Sequence, residues 1–389
     1  MHPSPHHHVE SKVLSVFFCC LLLAAVWLEP STSDSPSSPG WPDHQYFSLD
    51  PSLPSATPGM LLTLNLSADL RNAPAGMVFN ATLILDSHRL SGKPLTFFLN
   101  SGLKIESLRD TTGRLLPYER SGEAVTLPSS PPEATGSGFS VITLRYRGYL
   151  RSHNVYSPTT LSTGISKDEY LFLPPQALWY PLFPGQSFTG QLRAVTSPGV
   201  SAFSCTKESR IIEKNGRRTT DFQWPFSIKH LALLATTWPP ARVQQGRLDM
   251  DLLIPPGELK LRSKLYTLVL QKIDFFSRAF YPRDMERFTL CGHPDDSPPA
   301  WGRAMLALPA SEVDVHLLGA PVIDRQLARQ WFGELLHFPR REQEVEKGFA
   351  EFAARLYLEE VFSQRASQLW RSEGRWLTRF DTPTVSVKL

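Results

Sequence analysis

The chain has 389 residues, 41% of them apolar and 20% charged, which is the composition of a folded protein and the length of two or three domains. Its formal charge of +3, with no long basic run, argues against a nucleic-acid partner. The 34 prolines crowd into the first half, as strand connections and linkers require.

Lys12 precedes a nearly unbroken apolar run from Val13 to Leu28. The run falls short of the roughly 20 residues of a membrane-spanning helix and suits the core of a signal peptide. Ser31-Thr32-Ser33 offers small residues for cleavage. Residues 1–30 are expected to be a signal peptide or membrane anchor. The folded part would then be secreted, periplasmic or held outside the cytoplasm, with any membrane association made through residues 13–28. Cys19 and Cys20 have no lipobox around them, and His6-His7-His8 reads as part of the leader. Residues 31–58, rich in Ser and Pro, read as a linker.

From Leu61 to about Ala235 the pattern is short strands: Leu61 to Leu66, Phe79 to Leu85, Leu95 to Leu99, Leu103 to Leu108 and Val141 to Tyr146. Residues 59–240 are therefore expected to form a β-rich domain of saddle or sandwich type. Trp179-Tyr180-Pro181, Phe188 to Val195, a turn at Ser197-Pro198-Gly199, and Trp224-Pro225 leading into Ile228 to Ala235 follow in order. The tryptophans read as core. Asn65-Leu66-Ser67 and Asn80-Ala81-Thr82 have the form of glycosylation sequons.

Lys260 to Tyr281 turns helical, with Leu261, Leu265, Leu268, Leu270, Ile273 and Phe276 on its apolar face. Phe288-Thr289-Leu290 reads as a strand. Ile323 to Ala350 reads as two helices around a hinge, His337-Phe338-Pro339-Arg340-Arg341, where Pro339 cannot continue a helix. The expected buried stripes are Ile323, Leu327, Trp331 and Leu335 in the first, and Val345, Phe349, Phe352 and Leu356 in the second. The second would run on to about Trp370. Residues 241–389 thus read as a mainly α-helical domain.

At these residues the chain resembles the M1 family of zinc aminopeptidases, of the membrane alanyl aminopeptidase type. Leu327-Ala328, Gln330-Trp331-Phe332-Gly333 and Gly348-Phe349-Ala350 carry the resemblance, with Trp179-Tyr180-Pro181 supporting it upstream. It implies an α+β, multidomain fold: a β-rich saddle domain, then a thermolysin-like domain, here shortened. It also implies a zinc site in a His-Glu-x-x-His helix. The two histidine positions hold Arg325 and Arg329, the general-base position holds Gln326, and the third-ligand position holds Lys347, one residue early. The Gly-Ala-Met-Glu-Asn segment that anchors a substrate's amino terminus has no match; Trp301-Gly302-Arg303-Ala304-Met305-Leu306 stands in its slot. Tyr357, the only tyrosine after the motif, does not match the transition-state tyrosine.

Zinc requires imidazole or carboxylate lone pairs. Arginine offers donors only, and Gln326 cannot take a proton from water. No metal or catalytic residue is expected at these positions. Asp324, Glu334 and Glu346 are the nearby carboxylates that could pair with the three cations. In the alternative, Arg325, Arg329 and Lys347 bind an anion, because arginine pairs hold carboxylates through forked hydrogen bonds.

Cys291-Gly292-His293 with Asp295 and Asp296 offers too few ligands for structural zinc. A disulfide between Cys205 and Cys291 stays open. His316 and His337 stand alone among apolar residues. The leading reading is an exported M1-like protein without catalytic activity or cofactor, which binds or regulates peptides or a protein partner. The alternative is a zinc-dependent aminopeptidase releasing N-terminal residues from peptides, with substitute ligands or a partner subunit.

Overall fold

The computed structural model describes residues 59–73, 76–90, 94–128, 138–151, 170–245, 248–254, 262–280, 287–293, 300–309, 321–333, 345–346, 348–357 and 360. The leader, the linker, Lys347, His316, His337, Leu335, Asp295 and Asp296 lie outside them. Among the described residues no helix is long and apolar enough to cross a membrane.

The first part runs β1 (Leu61–Asp69), β2 (Met77–Asp86), a one-turn α1 (Ser87–Leu90), β3 (Leu95–Phe98), β4 (Leu103–Arg109), β5 (Glu119–Ser121), β6 (Ala124–Leu127) and β7 (Phe139–Gly148). It continues with β8 (Tyr170–Leu173), β9 (Phe188–Thr196), β10 (Ser201–Phe203), β11 (Glu208–Lys214), β12 (Arg217–Ile228) and β13 (Leu233–Thr236). Seven strands form one sheet in the order β11-β12-β9-β1-β2-β7-β4, in which β1 is parallel to β9 and antiparallel to β2.

Alternation makes this sheet two-faced. On β7, Ile142, Leu144 and Tyr146 are buried while Thr143, Arg145 and Arg147 face out. Both arginines reach Glu106 on β4, at 2.8 and 2.7 Å. Inward, Tyr146 stacks on Phe79 at 5.1 Å between ring centroids and donates its hydroxyl to the Trp179 carbonyl at 3.0 Å. Trp179 and Tyr180 are fully buried, and the Tyr180 hydroxyl accepts the Leu231 N–H at 3.2 Å. The Trp179-Tyr180-Pro181 segment is therefore core. Of the two sequons, Asn80 is exposed, whereas Asn65 is half-buried on β1 between two paired strands.

The second part opens with β14 (Ala241–Gln245), β15 (Leu248–Leu253), α2 (Arg262–Ala279), β16 (Arg287–His293), β17 (Ala300–Gly302), β18 (Met305–Pro309) and α3 (Pro321–Phe332). Helical residues 348–357 form α4. The sheet order is β14-β15-β16-β18-β17, with β15, β16 and β18 mutually parallel. Parallel neighbours need a crossover, and α2 supplies the one between β15 and β16.

The second part is thus not mainly α-helical, as the sequence pattern suggests; a five-stranded sheet lies beside its helices. Its parallel strands are buried on both faces and read as short apolar runs, which periodicity cannot tell from helix. A second correction concerns α4. Phe352 is exposed, and Phe349 and Leu356 are half-buried, while Ala350, Ala353, Ala354 and Tyr357 face the core. The helix is turned from the expected stripe, because alanines admit close approach and the Tyr357 ring fills the space against Phe275 and Phe276, at 5.3 and 6.1 Å. On α3 the stripe of Ile323, Leu327 and Trp331 is buried as expected.

The two parts share a core of Tyr170, Phe172, Phe203, Leu234, Trp238, Leu253, Cys291 and Met305. Beside it Arg287 on β16 pairs with Glu208 on β11 and Asp251 on β15. Cys291 lies in this shared core and Cys205 in the core of the first part, both buried thiols with no disulfide between them.

Candidate functional site

The site is built on α3. Pro321 opens the helix, where a missing N–H costs nothing. Ile323, Leu327, Ala328 and Trp331 press one face into the core of the second part.

Gln330 ties this helix to the β17–β18 turn. Its side chain is fully buried; Oε1 accepts the Ala304 N–H at 2.8 Å and Nε2 donates to the Gly302 carbonyl at 2.9 Å. The turn in turn meets the first part, where the Arg303 N–H donates to the His230 carbonyl at 2.9 Å. A Cβ on Gly302 would stand 2.6 Å from Ala232 Cβ, so only glycine permits this approach. Arg303 lies over the Phe226 ring at 4.2 Å.

The polar face of α3 carries the candidate positions. Arg325 Nη1 meets Glu351 Oε2 of α4 at 3.3 Å. Gln326 Oε1 accepts from Arg329 Nη1 at 3.1 Å. Arg329 points inward, 5% exposed, with its guanidinium 5.8 Å from the Trp301 ring centroid. Arg325 is the more open, its side chain 15% exposed. The two arginines share the helix yet turn to different neighbours.

Asp324 pairs with Lys272 of α2, both side chains fully buried, while the charge of Arg325 acts on it more weakly. Lys272 lies 4.2 Å from the Tyr357 ring centroid. Asp324 Oδ2 is buried without a hydrogen-bond partner among the described residues. Burial pushes the Asp324 carboxyl up to about 6 against the pull of Lys272. Burial likewise lowers Lys272. It lifts the Tyr357 hydroxyl to about 12, with the charge of Asp324 adding to the rise.

Sequence reading missed Lys272, Glu351 and the clamp role of Gln330. Lys272 did leave a signal, since it sits at core spacing between Val269 and Phe276, where a lysine needs a buried partner. Glu351 left none, because its partner lies on another helix.

The donor set does not fit zinc. Arg325, Gln326 and Arg329 present guanidinium groups and an amide already hydrogen-bonded to one of them. Among the described residues no three His, Cys, Asp or Glu side chains lie close enough to hold a metal ion.

Solved structures of M1 zinc metallopeptidases share the fold. The enzyme from Deinococcus radiodurans aligns with a TM-score of 0.62 at 15% identity, over 81% of this chain and 74% of that one. A mutant of it bound to a Tyr-Ser-Ala substrate gives 0.61 at 16%, over 81% and 75%. A two-domain M1 zinc metallopeptidase mutant bound to L-tryptophan gives 0.63 at 16%, over 81% and 75%. No protein-family model and no curated protein matches the sequence. The fold is M1-peptidase-like.

Proposed function

We propose that this chain uses an M1-peptidase-like fold for binding rather than catalysis, and that residues 13–28 deliver its folded part outside the cytoplasm. The observation that supports the reading is the chemistry of Arg325, Gln326 and Arg329 on α3, with Arg325 and Gln326 half-buried and Arg329 bonded to Gln326; the sequence resemblance aligns these three with the family's two histidines and general base. Two guanidinium groups repel a cation and attract a carboxylate. The ligand of this reading is a peptide bearing acidic side chains or a free carboxyl terminus, received first by Arg325.

The test is made on one purified sample. Zinc content after growth in added zinc, turnover of aminoacyl substrates, and binding of an acidic peptide are measured together. The reading expects far less than one zinc per chain, no turnover, and binding that is lost in the Arg325→Ala/Arg329→Ala double variant. Near-stoichiometric zinc with turnover would overturn it in favour of an aminopeptidase with substitute ligands. Acidic-peptide affinity unchanged in the double variant would remove the arginines from the function.

A further inference from the structure

We infer that Glu351 is an internal carboxylate ligand of Arg325, which holds the guanidinium until an external carboxylate displaces it, so that the site restrains its own binding. The inference rests on the acidic-ligand reading above and names how that site is regulated.

Among the described residues, two of the carboxylates that act near Arg325 differ in kind. Asp324 is sealed beneath the helix on Lys272, fully buried. Glu351 lies half-buried at the margin of the α3–α4 contact, its side chain 26% exposed. The Arg325–Glu351 contact of 3.3 Å is longer than the roughly 2.7–2.9 Å of a well-formed charge-assisted bond. An incoming carboxylate can therefore compete for the same guanidinium by displacing a long, half-buried contact rather than the fully buried Asp324–Lys272 pair.

Helix α4 does not depend on Glu351 for its place. Ala350, Ala353, Ala354 and Tyr357 are buried, Phe349 stacks on Phe332 at 5.5 Å, and the Tyr357 ring covers Lys272. Those contacts lie on the face of α4 turned to the core. Glu351 stands at the margin of that face, half-buried against α3, and a change of its rotamer would uncover Arg325 while the helix stays docked.

Glu351→Gln keeps the shape and removes the charge. An acetylated hexaglutamate peptide labelled with a fluorophore serves as the probe, with a hexaglutamine peptide as control, followed by anisotropy at low salt. Removing one partly exposed competing ion pair should tighten binding about two- to fivefold. Glu351→Met, similar in length and uncharged, should do the same. The gain should vanish in an Arg325→Ala background, and amide exchange across residues 348–357 should not change in Glu351→Gln.

If the wild type binds and Arg325→Ala weakens it, yet neither Glu351 variant tightens it, the inference is overturned and the acidic-ligand reading stands. An equal gain in the Arg325→Ala background would overturn it as well, by showing a general charge effect. Faster exchange across 348–357 in Glu351→Gln would mean that the pair holds the helix rather than guards the arginine. If neither the wild type nor Glu351→Gln binds the probe, the acidic-ligand reading falls and the inference with it.

Discussion

Replacing Lys272 by Met tests the centre of the helical layer. Lys272 and Asp324 are both fully buried, so solvent does not screen the pair. Removing one partner of such a pair leaves a buried charge and typically costs about 3–5 kcal/mol. Asp324 can relieve part of this cost by binding a proton, because burial already raises its carboxyl to about 6 with Lys272 present. Lys272→Met should therefore lose about 3 kcal/mol at pH 7 and less at pH 5, since each pH unit of enforced protonation is worth about 1.4 kcal/mol. Asp324→Asn strands the ammonium instead and should gain no relief on acidification to pH 5. The double variant Lys272→Met/Asp324→Leu should lie within about 2 kcal/mol of wild type, or above it, because apolar replacement of a whole pair is often neutral or stabilising. Urea unfolding followed by tryptophan fluorescence measures all four proteins; Trp331 lies 5.4 Å from Phe276 in the same layer and reports its loss. Single variants that each cost less than about 1 kcal/mol, the scale of an exposed pair, would refute the buried arrangement.

Three further outcomes follow from the geometry. Gln330→Ala strips partners from the Gly302 carbonyl and the Ala304 N–H; a loss of about 2–4 kcal/mol in unfolding free energy is expected, from about 1–3 kcal/mol per stranded group. Gly302→Ala forces its Cβ against Ala232 at 2.6 Å, so it should cost about 1–3 kcal/mol by overpacking, and a thermal midpoint equal to wild type would contradict the close approach. The Asp324 carboxyl is raised from 3.8 to about 6 in the folded state, so its stabilising contribution is complete below the unfolded value and is lost as pH rises through about 6. Stability relative to Asp324→Asn should accordingly fall between pH 4 and pH 6, and a rise over that window would reverse the assigned cause.

Much of the first part was legible because strand alternation is a local signal. β2 and β7 bury every second residue, as β1 does from Leu64 onward, and the run of alternating residues states this without reference to a partner. The second part was less legible. Its parallel strands are covered on both faces, so they lose alternation, while the longer helices keep a strong period and dominate the reading. On α4 the two large residues Phe349 and Phe352 suggested a buried stripe, yet the core took the alanines and Tyr357. Burial follows from which face meets a neighbour, and the neighbour, α2, comes about 70 residues earlier in the chain.

By itself the sequence determined what chemistry the α3 positions can offer. Arginine is a donor and a cation in any fold, and glutamine is no base, so Arg325, Gln326 and Arg329 declare their character without coordinates. What those groups touch was decided only by tertiary structure. Adjacent residues Asp324 and Arg325 turn to different helices, one to Lys272 on α2 and the other to Glu351 on α4. Cys205 and Cys291, open to pairing in the sequence, settle in different cores with no disulfide between them. The physical reason is that residue chemistry is carried by single side chains, whereas ion pairs and burial belong to surfaces that distant segments bring together.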